Sequence, residues 1–137
     1  MNLLNLIKSG MLLGTTHILS AMSCSKSHFN NCNVACTAVF ASVNVQLTDA
    51  FDNPVTAGEV FTIRIKTGDT LRLQQYPNIS GAYTILDDSF QKIIVNSTEN
   101  FQFVAIKNGN KIVDESYTIS ADCCHIKKDS GKEKVII

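Results

Sequence analysis

Alternation of apolar and polar residues along most of the chain after residue 38 constrains the fold more than any other feature of the sequence. In the first such segment, Val43, Val45 and Leu47 alternate with polar residues. Side chains two positions apart in a β-strand point to the same face, so this spacing predicts a strand with one buried face. We expect eight strands of this kind, over residues 39–48, 61–66, 71–73, 82–86, 90–95, 101–105, 112–121 and 134–137.

Turn-forming residues separate these segments at intervals of about 8–12 residues, which is the spacing typical of antiparallel β-sandwiches. Asn53-Pro54 interrupts the chain after the first strand. Asn108-Gly109 predicts a tight hairpin because both residue types tolerate a positive φ. The sequence therefore predicts an all-β fold, an antiparallel Ig-like or prealbumin-like sandwich of seven to eight strands. A closed barrel is the alternative, since the pattern does not say whether the sheet closes on itself.

The first 23 residues differ from the rest and predict an export signal. One cation, Lys8, precedes an apolar stretch of about a dozen residues, which is the length of a signal-peptide core and too short to span a bilayer. The small residues Ala21 and Ser23 come just before Cys24 and suit the pockets of a signal peptidase. The alternative is that residues 4–22 form a helix of the mature protein and that Cys24 is an ordinary thiol.

The six residues that end at Cys24, Leu-Ser-Ala-Met-Ser-Cys, resemble the lipobox of bacterial lipoproteins. In such proteins the cysteine becomes the lipidated first residue of the mature chain. On this resemblance we expect residues 1–23 to be a lipoprotein signal peptide that precedes the sandwich. Residues 24–35 then carry the lipidated cysteine and a flexible tether, and residues 36–137 form the β-sandwich domain.

The charges balance, with 12 basic and 12 acidic residues. A nucleic-acid-binding protein usually has a basic excess on one face, so we expect no nucleic-acid partner. Removal of residues 1–23 loses only Lys8, and the remaining domain stays close to neutral. Attachment to a membrane would therefore come from the lipid on Cys24 and not from a basic surface.

The remaining four of the five cysteines predict disulfides within the domain. Cys32 and Cys36 precede the first strand, and Cys123 and Cys124 follow the seventh. In phase with that strand, Cys123 should face inward and Cys124 outward, so the two are poor partners for each other. We expect two bridges between the pairs, with the connectivity left open because four cysteines allow three pairings.

Two other states of these cysteines stay open. The residue types of Cys123, Cys124 and His125 suit zinc, although their spacing is not that of a standard zinc knuckle. Free or redox-active thiols are the second possibility. We expect no cofactor.

Two further resemblances concern the domain itself. Residues 43–60, with the later Gly81-Ala82-Tyr83, resemble the carboxypeptidase regulatory-like domains, which are transthyretin-like or Cna-B-like β-sandwiches. This resemblance extends over residues 37–106 and implies the fold more than a function. Residues 120–126, together with the leader, resemble small uncharacterised bacterial lipoproteins that end in a Cys-Cys-His segment, which implies a cell-envelope location.

Little in the sequence predicts catalysis. His125 is the only histidine of the expected domain, and Asp87-Asp88 is interpreted as a turn former, with a calcium-binding turn as the alternative. We therefore expect a non-enzymatic, lipid-anchored protein of the bacterial cell envelope that faces the periplasm or the cell surface. It would act as a binding or structural module for a protein or glycan partner. The alternative is a small redox-active or metal-binding lipoprotein that uses Cys123, Cys124 and His125.

Overall fold

The computed structural model describes residues 32–75 and 79–137, and these form two β-sheets packed face to face. The all-β sandwich predicted from the alternation is therefore confirmed. The strands in the described residues are β1 (Ser42–Thr48), β2 (Glu59–Arg64), β3 (Asp69–Leu71), β4 (Ala82–Asp87), β5 (Ser97–Lys107), β6 (Asn110–Ala121), β7 (Ile126–Ser130) and β8 (Lys134–Ile136). A short 3-10 helix covers Asp88–Ile93.

The two sheets are separate, which decides for a sandwich over a closed barrel. One has three strands in the order β4-β1-β8, and the other has five in the order β3-β2-β5-β6-β7. Neighbouring strands run antiparallel except β1 and β8, which are parallel. The predicted antiparallel sandwich therefore holds for every pair but this one. After β7 the chain crosses to the other sheet, where β8 lies beside β1 and runs in the same direction as β1.

The apolar faces of the two sheets form one core. Val45 and Leu47 of β1 are fully buried, and Phe101 and Phe103 of β5 lie opposite them in the second sheet. Each of these pairs is spaced by two residues, as the alternation requires of side chains on one face of a strand. Burial of apolar surface at about 25 cal/mol per Å² is the main force that holds the sheets together.

Tyr117 of β6 is buried at one side of this core and packs against a glycine. Its hydroxyl donates to the carbonyl of Lys132 at 2.9 Å, and its ring lies against Gly131. A Cβ on Gly131 would come within 2.1 Å of the ring, and the residue has a φ of 121°. Only glycine fits this position, which begins the turn from β7 into β8.

One predicted strand does not form, and one observed strand was not predicted. Residues 90–95, expected to form a strand, belong instead to the 3-10 helix and its end. Asp87 caps this helix by accepting the Ser89 N–H at 3.0 Å, a local bond that competes with strand pairing. Strand β7 was not predicted, because its Ile-Lys-Lys-Asp-Ser sequence has a single buried residue, Ile126, and the strand forms by pairing with β6.

The predicted signal peptide over residues 1–23, the predicted lipidation at Cys24 and most of the predicted tether lie outside the described residues. Within residues 32–75 and 79–137, no helix is long and apolar enough to cross a membrane.

Candidate functional site

The residues that precede β1 form an irregular segment, residues 32–40, which we call the strap. No residue of the strap belongs to a helix or strand, and every one of the nine is exposed. The strap lies against the turn that joins β6 to β7, residues 122–125, which we call the cysteine turn. Together they form one end of the sandwich.

Two disulfides join the strap to the cysteine turn. Cys32 is bonded to Cys123 and Cys36 to Cys124, each pair with its Cα atoms 5.3 Å apart, a normal separation for a disulfide. The structure therefore has two bridges between the pairs, as the sequence predicts. It also gives the connectivity, which residue spacing alone could not decide.

The expected inward and outward orientations of Cys123 and Cys124 were wrong. Strand β6 ends at Ala121, so strand geometry does not extend to the cysteines, and both are partly buried. The Asp122 carboxylate accepts the N–H groups of Cys124 and His125 at 2.7 and 2.8 Å. These bonds bend the chain into a turn and hold the pKa of Asp122 below its usual value. The turn presents both sulfurs to the strap.

Asp88, at the start of the 3-10 helix, connects the elements of this end. Its carboxylate accepts the Ala41 N–H at 2.7 Å and the Ile126 N–H at 2.8 Å, so it joins the start of β1 to the start of β7. It also lies 2.7 Å from Nδ1 of His125. Burial opposes ionisation of the carboxyl, but the hydrogen bonds from these three residues outweigh it, and the pKa of Asp88 is lowered.

His125 extends this network to the strap. Its Nε2 atom lies 2.9 Å from the hydroxyl of Thr37, so Asp88, His125 and Thr37 form one chain of hydrogen bonds. The chain runs beside the two disulfides and holds the same two segments together. Sequence reasoning missed the role of Asp88, and the only signal was an aspartate pair directly after a strand, which was interpreted as a turn.

An Asp–His–hydroxyl chain is also the order of groups in many hydrolases, where a nucleophile and an oxyanion-stabilising pocket are needed together. Within residues 32–75 and 79–137, neither the groove beside β2 and β4 nor the groove between β1 and β7 contains Asp88, His125 or Thr37. The hydrogen bonds from Asp88 through His125 to Thr37 support a structural role, in which they hold the strap against the cysteine turn.

The sulfurs of Cys123 and Cys124 are engaged in disulfides, so zinc binding by them with His125 would first require reduction of both bridges. Among the described residues, no group of three or more histidine, cysteine, aspartate or glutamate side chains is arranged to hold a metal ion. Asp87 caps the 3-10 helix and Asp88 joins β1 to β7, so each carboxylate accepts hydrogen bonds from the protein.

A groove of about 530 Å³ lies between the β1–β2 loop and the start of β4. Thr56, Glu59, Gln75 and Tyr83 are among the residues that line it. The Tyr83 hydroxyl accepts the Ala57 N–H at 2.6 Å and fixes the loop against β4. Strand β1 starts beside the strap and ends near this loop, so the groove and the strap lie toward opposite ends of the sandwich.

Fold and site together define an all-β sandwich whose first described residues are cross-linked to the turn between β6 and β7. No protein-family model matches the chain, and no curated protein or solved structure matches it at a significant level. The likeness of residues 37–106 to carboxypeptidase regulatory-like domains therefore stays a prediction from the motifs.

Proposed function

We propose that this chain is a non-enzymatic, lipid-anchored protein of the bacterial cell envelope, whose sandwich acts as a binding or structural module. The observation that carries the proposal is the pair of disulfides that join Cys32 and Cys36 to the cysteine turn. Disulfides of this kind persist in exported proteins and are rare in a reducing cytoplasm. They begin only eight residues after Cys24, the predicted site of lipidation.

The position of the disulfides supports an oriented display of the domain. Eight residues span at most about 28 Å when fully extended, so a lipid on Cys24 would keep the strap end near the membrane. The opposite end, with the groove beside Tyr83, would then face away and be open to a protein or glycan partner. The groove has polar and apolar lining, as small binding sites commonly do.

Lipidation is tested by expression of the full chain in a bacterial host with a labelled fatty acid. We expect label in the wild type and its loss in the Cys24→Ala variant, because the thioether to the lipid requires that sulfur. Cys36→Ala is the matched control and should keep the label. An unlabelled wild type, or a mature chain that starts at Met1, would refute the anchor.

The binding role is tested by chemical cross-linking of the lipidated protein in its own membrane, followed by pull-down. Thr56→Arg would fill the groove with a charged side chain, whereas Thr98→Arg places the same side chain on an exposed position of β5. We expect a partner that is captured by the wild type and by Thr98→Arg and lost with Thr56→Arg. Equal capture by both variants would exclude the groove as the binding site.

A redox function is the second candidate, and a specific observation favours it. Cys32 and Cys36 are exposed, and the histidine of the network, His125, directly follows Cys124. Exposed disulfides are the ones most open to thiol exchange. The two candidates differ in the expected state of the cysteines in the purified protein. Stable oxidised cysteines and no bound metal favour the binding module. A dithiol that cycles with reductant, or one bound metal ion, favours the redox or metal-handling function.

A further inference from the structure

We propose that the strap is a lipid-contacting surface and that Val34, Val39 and Phe40 enter the interfacial region of the bilayer. This proposal rests on the proposed lipid anchor and adds which face of the domain meets the membrane. It would make the strap a second, weaker attachment beside the acyl chains.

The first observation is the exposure of apolar side chains in the strap. Val34, Val39 and Phe40 are 61, 68 and 58% exposed. Large apolar side chains grouped in one exposed segment are a common mark of an interaction surface. An amphipathic or apolar surface of this kind gains free energy at the boundary of headgroups and acyl chains.

The second observation is the absence of charge from this part of the chain. No aspartate, glutamate, lysine or arginine occurs between Lys26 and Asp49, although 18% of all residues are charged. The nine strap residues are therefore all exposed and all uncharged. Charged side chains are costly to move toward hydrocarbon, so a charge-free exposed segment suits contact with lipid.

The third observation is the length of chain between the strap and the predicted lipid. Cys24 precedes Cys32 by eight residues, so the first residue of the strap lies within about 28 Å of residue 24 even for a fully extended chain. The disulfides and the bond from Thr37 to His125 already order the strap in the free protein. Contact with a membrane therefore has a smaller entropic cost than it would for a flexible segment.

Phe51 provides an internal comparison. It is 86% exposed in the loop after β1, toward the opposite end of the sandwich, and its neighbours Asp49 and Asp52 carry carboxylates. An apolar side chain there is as accessible as those of the strap, but it lies among charges and toward the end of the sandwich opposite the strap. Phe51 should therefore stay in water when the strap contacts lipid.

The chain contains no tryptophan, which allows a single reporter to be placed at will. The full-length Phe40→Trp variant would be purified from the membrane fraction and reconstituted in phosphatidylcholine vesicles with brominated acyl chains. Phe51→Trp, prepared in the same way, is the matched control. Val34→Trp is a second strap reporter in case the first substitution disturbs folding. We expect a blue-shifted emission and roughly twofold quenching by bromine for the strap reporters, and neither change for the control, because only the strap would reach the interface.

The outcomes separate this proposal from the anchor, which is scored on the same samples by the mass of the lipid on Cys24. A lipidated chain whose strap reporters are not quenched overturns the strap contact and leaves the anchor standing. Quenching of an unlipidated chain supports the contact and refutes the anchor. Equal quenching of the Phe51→Trp control would overturn the proposal that the strap contacts lipid. Strap quenching that requires anionic phosphatidylglycerol and disappears in salt would also overturn it, because the contact would then be electrostatic and not apolar.

Discussion

Single residues hold the strap end together through hydrogen bonds that join segments far apart in sequence. Asp88 is the central one, since its two oxygens accept from Ala41, Ile126 and His125, and its side chain is only 10% exposed. A buried carboxylate with three donors is stable in its ionised form, whereas the neutral acid satisfies them less well. The residue is therefore a structural group whose charge state sets the stability of this end.

Replacement of Asp88 by asparagine is expected to lower the free energy of unfolding at neutral pH by about 1–3 kcal/mol, since an amide oxygen cannot replace both carboxylate acceptors. The pH dependence should change as well. The pKa of Asp88 is lowered in the folded protein, so the stability that its ionised form contributes is complete above the unfolded pKa of about 4 and is lost as the pH falls through the folded pKa.

Urea unfolding between about pH 5 and pH 2 tests this, because the Asp88→Asn variant should lose less stability over that range than the wild type. Asp129→Asn, an exposed position on β7, is the control and should stay within about 0.5 kcal/mol of the wild type. An acid dependence of Asp88→Asn as steep as that of the wild type would contradict the role of the carboxylate.

At the scale of elements, the strands follow the alternation closely in the centre of each sheet and less well at the edges. Strand β4 is an edge of the three-stranded sheet, and the Gln75 side chain covers part of it. Its Oε1 accepts the Thr84 N–H at 2.7 Å and its Nε2 donates to the Thr84 carbonyl at 3.2 Å. The amide thus takes the place of a neighbouring strand at one residue pair and blocks pairing with another chain.

Gln75→Ala is expected to cost about 1–3 kcal/mol, because Thr84 is buried and both of its backbone groups would lose their partner. The freed edge should also increase association between molecules at high concentration. The adjacent Gln74→Ala is a matched control, since Gln74 is exposed, and it should change neither property. Thermal unfolding and light scattering measure the two effects, and identical behaviour of the two variants would show that Gln75 does not protect the edge.

At the scale of the whole molecule, the two disulfides close nearly the same loop. Cys32–Cys123 and Cys36–Cys124 span 91 and 88 residues. Once one bridge has joined the strap to the cysteine turn, the other closes only a ring of a few residues. The contributions of the two bridges to stability are therefore not additive.

Loss of one bridge in Cys36→Ser/Cys124→Ser should cost only about 2 kcal/mol, because the other bridge still closes the long loop. Replacement of all four cysteines by serine should cost about 4–5 kcal/mol more, since the unfolded chain then regains the freedom of that loop. Cys32→Ser/Cys123→Ser is the matched single-bridge control and should resemble the first variant. Urea unfolding of the three variants measures the costs, and a large loss from either single bridge would contradict the shared-loop account.

The sequence by itself determined the fold class, because a period of two along a strand decides which side chains can share a buried face. It also predicted the hairpin at Asn108-Gly109, which lies between β5 and β6, where two residues with positive φ make the turn. Bridges from Cys32 and Cys36 to the two later cysteines were also expected, but from alternating strand orientations that Cys123 and Cys124, which lie beyond the end of β6, do not have. The strand pattern and the hairpin depend on the local backbone geometry that each residue type favours.

Only the tertiary structure decided the rest. The 3-10 helix at Asp88–Ile93 replaced an expected strand, and β7 formed on the edge of β6 from a sequence with little alternation. The connectivity of the cysteines and the link from Asp88 through His125 to Thr37 likewise depend on segments up to 91 residues apart. Such contacts arise when two sheets pack, and no spacing along the chain encodes the distance between residues on different sheets.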